Sequence, residues 1–360
     1  MEFLKNITIK NFRGFEHLSI DDFRSINIFV GKNNSGKSSI LEAIFLMAGM
    51  SNPLLPGNIN KLRGLATKEA GDFKYLFHKL NLNNRPEFNS RLTDNTVRSL
   101  TIIPQYKNKR QQVQEEKTPT PNNIATIDAS TSTPDITGLI LAFSPEGESK
   151  KMKNSITIDP PNIVPTFHSG YKENMHAVFI TSEINQSNVL SRFSDIIKKK
   201  KENFILKAIQ QIDPGIESVH PLPDGLFFGY HDMDELVPVN IAGDGIRRYL
   251  NILATIADKK DSIVLIDEIE NGLHYSAHKI LWKSIISLSR QFNVQLFVTS
   301  HNIEALKCLS DLVEENTELQ NIKNQIAVFK VDHTSKAGAK TYRYDFEAFN
   351  DAINTNTEIR

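Results

Sequence analysis

Apolar positions along the chain fall into short alternating runs, short unbroken runs, and longer stretches with helical spacing. Alternation around Ile7 and Ile9 predicts a strand from Phe3 to Ile9, with further strands at His17 to Ile20, Glu87 to Leu92, Thr96 to Ile103, Ile136 to Phe143 and Ser155 to Ile158. The pair at 87–92 and 96–103 is expected to be antiparallel, because Thr93-Asp-Asn95 suits a hairpin and is too short for a parallel crossover. Ile26 to Val30 is a compact apolar strand. Ala177 to Thr181, Asp261 to Glu268 and Val294 to Ser300 read as buried strands of the kind a parallel sheet contains. Short strands are expected at Ile216 to His220, Leu226 to Gly229 and Leu236 to Val239, with closing strands at Gln325 to Val331 and Lys340 to Tyr344.

Helical spacing is clearest from Ser39 to Met47, where apolar residues cover nearly every face and burial on a sheet follows. Gly49 and Pro53 stop that helix. Further helices are predicted from Thr67 to His78, from Asn188 to Ile212, from Ile246 to Ile256 and from Ile303 to Leu312. Asn188 to Ile212 carries one stripe of Leu190, Phe193, Ile196, Ile197, Phe204, Ile205, Ala208 and Ile209, and Asp213-Pro-Gly215 ends it. The order of elements predicts an α/β fold with an antiparallel lobe near the N-terminus and a parallel core.

Lys107 to Thr133 breaks the pattern. It is rich in Lys, Gln, Thr, Pro, Ser and Asn, buries too little to offset the entropy of ordering, and is expected to be a mobile insert. Its Lys107-Asn-Lys-Arg110 cluster, and the run Lys198 to Lys201, are the local basic patches that could meet nucleic acid, although solvated surface accounts for both. The whole chain offers no such pull: 42 Lys and Arg balance 42 Asp and Glu over 360 residues. One cysteine, Cys308, excludes an intrachain disulfide framework and a cysteine zinc site, and fits a reduced, cytoplasmic setting. No membrane partner is expected, since no run of about 18 apolar residues occurs.

The candidate chemistry begins at GKNNSGKSS, Gly31 to Ser39, between the strand ending at Val30 and the helix beginning near Ser38. It matches G-x-x-x-x-G-K-[ST] in the strand-before, helix-after context that the phosphate-binding mechanism requires. Successive backbone N–H groups at a helix N-terminus make an anion cradle, in which Lys37 reaches the β- and γ-phosphates and the Ser38 hydroxyl ligates Mg²⁺. Gly31, Asn33, Asn34, Ser35, Gly36, Lys37, Ser38 and Ser39 are the candidate nucleotide-binding residues.

A second group comes from the C-terminal half. Ile-Val-Leu-Ile ends in Asp267 and Glu268, which a buried parallel strand would deliver to the carboxyl edge of the sheet. Asp267 is placed to hold Mg²⁺ and Glu268 to polarise an attacking water. The strand at 294–300 ends at His301, whose imidazole can register a γ-phosphate oxygen; a helix-capping Ser300-His-Asn302 turn is the alternative. Gly243-Asp-Gly245 precedes another helix and offers a second anion-binding N-terminus, which suggests a site completed by another subunit.

The runs N-F-R-G-F (11–15), G-K-N-N-S-G-K-S (31–38), G-D-G-I-R-R (243–248), I-V-L-I-D-E (263–268), E-N-G-L-H (270–274) and T-S-H-N (299–302) together resemble the ABC-type ATPases related to RecF, the SMC proteins and the overcoming-lysogenization-defect nucleases. The resemblance covers nearly the whole chain. It implies one ABC-type ATPase head over 1–360: a first lobe of about 1–182, a helical segment of about 186–212, and a signature and Walker B lobe of about 213–360. It also implies cofactor contacts from Arg13 and from Gly243, Asp244 and Gly245 as the signature motif, a D-loop at Glu270 to His274, a switch role for His301, and Gln186 as the metal-contacting glutamine. The G-D-G signature departs from the transporter L-S-G-G and points to the stand-alone, defence-associated branch. No heptad arm interrupts the halves, and with about sixty residues after His301 no nuclease is expected in cis.

The resulting expectation is an ATP- and Mg²⁺-dependent ATPase that forms a homodimer or higher homo-oligomer around nucleotide. It would control a separate effector, a nuclease or toxin, in prokaryotic anti-phage defence. A DNA-repair ATPase of the RecF kind is the alternative, distinguished by ATP-dependent DNA binding that weakens steeply with salt.

Overall fold

The computed structural model describes residues 2–65, 69–107, 136–147, 151–159, 162–181, 186–334 and 338–355. In chain order the first half contains β1 (Ile7–Phe12), β2 (Phe15–Ile20), β3 (Ile26–Val30), α1 (Lys37–Ala48), α2 (Leu55–Lys61), β4 (Glu87–Arg91), β5 (Val97–Tyr106), β6 (Ile136–Ser144), β7 (Met152–Asp159), β8 (Asn162–Thr166) and β9 (Ala177–Ile180). The second half contains α3 (Gln186–Lys198), α4 (Glu202–Gln210), β10 (Ile216–Leu222), β11 (Gly225–Tyr230), β12 (Val237–Pro238), α5 (Asp244–Asp258), β13 (Ser262–Ile266), α6 (His278–Phe292), β14 (Val294–Ser300), α7 (Ile303–Glu315), β15 (Ile326–Thr334), β16 (Gly338–Tyr344) and α8 (Phe346–Asn354).

A six-stranded sheet ordered β16-β15-β3-β14-β13-β9 is parallel throughout except at its β16 edge. Its strands alternate between two cores. Ile28, Val264, Ile266, Leu296 and Val298 face a helical layer that includes α5, α6 and α7, while Phe29, Ile263, Leu265 and Phe297 face α1. On the far side of α1 lies a seven-stranded antiparallel sheet, β2-β1-β4-β5-β6-β7-β8. A helix between two sheets must be apolar around its circumference, which is the pattern of Ser39 to Met47. The antiparallel lobe and the parallel core of the α/β fold are both present, with the hairpin at Thr93 to Asn95 joining β4 to β5.

Several expected elements differ in detail. The single helix over 188–212 is two, because the chain reverses at Lys199–Lys201, where Lys200 adopts a left-handed φ of 55° and Lys201 N–H donates to Ile196 O at 3.1 Å. That is the closing bond of a Schellman turn, with a lysine where glycine is usual. The break lets Phe193 and Ile196 on one helix and Ile205 and Ile209 on the next all reach full burial. The lysine run is correspondingly occupied: Lys198 pairs with Asp195, Lys199 donates to Asp258 O at 2.8 Å, and Lys201 lies over the Phe292 ring. The helix expected from Thr67 to His78 is a pair of 3₁₀ turns, Ala70–Leu76 and His78–Leu80, kinked at Lys79. The strand expected at Leu236 to Val239 pairs only through Val237 and Pro238. α2, β8, α6 and α8 are elements the hydropathy reading leaves out. The mobile-insert expectation for 107–133 lies outside the described residues apart from Lys107.

Candidate functional site

The parallel register brings the carboxyl ends of β3, β14 and β13 side by side, with Val30 opposite Ser300 and Val298 opposite Ile266. The turn after β3 is Gly31 to Gly36. Gly31 has φ 147°, and a Cβ there would lie 2.5 Å from Val331 O; Gly36 has φ 99°, and a Cβ there would strike the Phe15 ring at 2.5 Å. Both positions therefore require glycine on conformational and on steric grounds. Gly36 leads directly into α1, whose first N–H groups face the turn.

Lys37 is buried at the foot of this loop and donates to Gly31 O at 2.7 Å and Lys32 O at 2.9 Å. Burial lowers its pKa, opposed by the charges of Asp267, Glu268 and Glu270. The Ser35 hydroxyl is buried with no partner of its own. Ser38 donates to Asp267 Oδ1 at 3.0 Å, and Thr299 donates to the same oxygen at 2.6 Å. Thr299 also accepts the Glu268 N–H at 2.7 Å, so one hydroxyl at the end of β14 ties down both acids that follow β13. Glu268 itself has a left-handed φ of 50°, strained for a non-glycine residue.

These groups open onto a cavity of about 720 Å³. Of the expected residues, Arg13, Asn33, Asn34, Ser35, Gly36, Lys37, Ser38, Ser39, Asp267 and Glu268 line it; Gly14, Phe15, Arg63, Tyr75, Phe77, Lys79, Leu80, Thr299 and His333 complete its wall. Arg13 borders the cavity with every guanidinium nitrogen engaged by protein: Nε to Glu42 at 2.7 Å, and the other two to the carbonyls of Tyr75 and Ile59. It shapes the wall beside the buried Glu42, which Arg63 also grips. Arg63 donates in turn to Ser39 Oγ at 3.0 Å.

Six expected residues do not line the cavity: Gly31, at the start of the loop, and His301, Gly243, Asp244, Gly245 and Gln186. His301 stands at the end of β14 with Nδ1 3.0 Å from Glu270 Oε1, and the same oxygen accepts the N–H groups of His301 and Asn302. The helix-capping alternative also holds in part, since Asn302 caps α7 through Glu304 and Ala305. Gly243 and Asp244 are exposed at the start of α5, where Asp244 pairs with Arg247. Gly245 packs against the turn at Glu270 to His274, a Cβ there lying 2.8 Å from Gly272 O. Gln186 is the first residue of α3, and its side chain lies outside the described residues.

Sequence reasoning missed Thr299 and Arg248. Thr299 was visible only as part of T-S-H-N, with no signal that its hydroxyl would meet the β13 acids. Arg248 is 2% exposed and donates to Thr181 O, Asp267 O and Glu268 O at 2.8, 2.7 and 2.6 Å.

Residues 26–307 match the family model described as "AAA domain, putative AbiEii toxin, Type IV TA system", and the chain belongs to that family. Its fold and recognition motifs make it an ABC-type ATPase of the RecF and SMC group. A Helicobacter pylori protein described as an ATP/GTP phosphatase is 27% identical over 337 residues, 87% of this chain and 89% of that protein. A Lactococcus lactis protein described as the DNA replication and repair protein RecF is 51% identical over 45 residues, 12% of each chain. An Smc head domain from Pyrococcus furiosus, solved with an extended coiled coil and the C-terminal domain of ScpA, superposes with a TM-score of 0.51 at 11% identity, covering 99% of this chain and 100% of that one. A second Smc head bound to the C-winged helix domain of ScpA gives a TM-score of 0.50 at 12% identity, with 96% and 99% covered. Among the described residues no helix is long and apolar enough to cross a membrane.

Proposed function

We propose that this ATPase binds ATP with Mg²⁺ in the cavity over Gly31 to Ser39, hydrolyses it, and closes as a homodimer to control a separate effector protein in prokaryotic anti-phage defence. The observation that carries the nucleotide reading is the convergence of the Ser38 and Thr299 hydroxyls on Asp267 Oδ1 beside Lys37. A hydroxyl 3.0 Å from a carboxylate at a loop-to-helix junction is a hard-oxygen pair that suits Mg²⁺. Ser38 and Asp267 would hold the ion, which would supply positive charge against the phosphates.

The protein's own groups do the rest. Lys37 holds its ammonium on two loop carbonyls, within reach of an incoming phosphate that would replace those weaker acceptors. Glu268, held by Thr299 from its N–H side, polarises the water. Gly243 to Gly245 lie outside the cavity, with Gly243 and Asp244 exposed, which supports a role in the opposite subunit's site. Effector control and the defence setting rest on the resemblance to the stand-alone branch and on the family description, in which a toxin is named. The DNA-repair alternative gains nothing from Lys198 to Lys201, since Lys198, Lys199 and Lys201 are engaged within the protein.

The test is co-purification from the native host with Glu268→Gln, which should hold ATP and remain closed. Recovery of a nuclease or toxin supports effector control. Recovery of DNA alone, lost as salt is raised, overturns it in favour of the repair reading.

A further inference from the structure

Between the start of α5 and the end of β13, one buried guanidinium makes three hydrogen bonds, all to backbone carbonyls. Arg248 reaches Thr181 O, just past β9, and the two carbonyls of Asp267 and Glu268, just past β13. Three acceptors on two adjacent parallel strand ends fix the guanidinium plane, and the planar fork of arginine meets them as the single ammonium of lysine cannot. Burial lowers the pKa of Arg248, and the charges of Asp267, Glu270 and Glu268 oppose that effect. Its Nε is buried and unpartnered, so the side chain is held for the sake of its two terminal nitrogens.

What those bonds hold is strained. Glu268 has φ 50°, a left-handed conformation that is costly for a non-glycine residue and persists only where the surroundings impose it. The imposition comes from both sides: Thr299 Oγ1 takes the N–H and Arg248 takes the C=O. The Thr299 clamp belongs to the sheet. The Arg248 clamp belongs to α5, whose N-terminus carries Gly243 to Gly245 and packs on the 270–274 turn through Gly245 and Gly272.

We propose that Arg248 is a positioning residue for ATP hydrolysis, which makes the placement of Glu268 depend on the position of the helix that begins at Gly243. Anything that engages the exposed end of α5 moves the guanidinium, and with it the carbonyl of the residue that polarises water. Engagement at one surface is thereby reported to the acid of the same subunit. The inference rests on the reading of Glu268 given above.

The test compares purified full-length wild type with Arg248→Met, which keeps length and loses all donors, and Arg248→Lys, which restores the charge on a single donor nitrogen. Nucleotide affinity, ATP-driven association, turnover and Tm are measured on each. A displaced acid should lower kcat by about 10²-fold in R248M and by less in R248K, the scale of an ångström-level misplacement. Nucleotide affinity and ATP-driven association should match the wild type in both. Turnover within twofold of wild type in folded R248M overturns the proposal. So does loss of nucleotide binding and association in step with turnover in R248K, which marks a purely structural arginine. Glu268→Gln run in parallel separates the two claims: wild-type turnover there shows that the reading of Glu268 has failed, whatever Arg248 does.

Discussion

Replacing Thr299 by Val removes one hydroxyl and adds a methyl of the same size at a fully buried position. Two hydrogen bonds disappear with it, the 2.6 Å bond to Asp267 Oδ1 and the 2.7 Å bond from Glu268 N–H. A hydrogen bond to a charged group contributes about 1.5–3 kcal/mol, and a buried N–H left without a partner costs about 1–3 kcal/mol. Because Ser38 still donates to Asp267, and the two losses share a neighbourhood, the expected destabilisation is about 2–4 kcal/mol rather than their sum. At about 2.1 cal/mol/K per residue of unfolding entropy, that lowers Tm by about 3–5 °C in a chain of this length. The catalytic effect should be larger than the stability effect. With its N–H unanchored, Glu268 can leave its left-handed conformation, and kcat should fall by at least about tenfold. Thr299→Ser, which keeps the hydroxyl, should retain most of the activity. Steady-state ATP turnover with calorimetric melting on all three proteins decides the matter. Thr299→Val with unchanged kcat and Tm would refute the idea that this hydroxyl organises the two acids.

Lys37→Ala should abolish nucleotide binding, because it removes the full positive charge from a cradle otherwise made of backbone dipoles; near-normal ATP affinity at physiological salt would count against the assignment. Since burial favours the neutral amine, ATP affinity should be lost as pH rises through a value below the ordinary 10.5, and Lys37→Arg should flatten that fall; identical titration curves for the two proteins would show that another group is responsible. Glu268→Gln should bind ATP normally and turn it over about 10²-fold more slowly, and an unchanged rate would move the role elsewhere. Gly243→Arg, at a position with nothing within 4 Å of a Cβ, should leave nucleotide binding intact and block ATP-driven association; mixing it with Lys37→Ala should restore some turnover once subunits exchange, and an unimpaired monomeric ATPase would sink the shared-site architecture.

The sequence made the centre of the fold readable because burial on both faces leaves an unmistakable apolar run. Ser262–Ile266 and Val294–Ser300 are buried at every position, and glycines at 31 and 36 sit where no other residue fits. Elements whose boundary depends on a residue acting out of type were not readable. Lys200 takes a left-handed turn without being glycine, so α3 and α4 read as one helix. Residues 70–80 carry helical spacing but fold as 3₁₀ turns, whose Phe77 N–H donates to Lys74 O and whose Tyr75, Phe77, Lys79 and Leu80 wall the cavity. α6 has a buried stripe of ordinary helical spacing, Leu281, Trp282, Ile285, Ile286 and Ser289, interrupted by polar residues that dilute it in the sequence.

The same distinction separates the site residues. Lys37, Ser38, Asp267 and Glu268 announce themselves because each belongs to a local run with its own logic: a loop that must bend, or a strand that must end in acid. Thr299 and Arg248 act through neighbours that only the parallel order of β14, β13 and β9 supplies, and no short window contains both partners of any bond they make. Their chemistry is a property of register. Register also explains the division of the expected set. The sheet edge collects the phosphate loop and the acids into one cavity, whereas α5 starts on the outer face of the turn at 270–274 and leaves Gly243, Asp244 and Ile241 exposed. On the proposed reading, a single chain holds a binding half of one site and a closing half of another, and nucleotide is what makes the two halves complementary. Tight binding by the isolated chain and slow turnover without association are then two consequences of one geometry, and they should separate cleanly in Gly243→Arg.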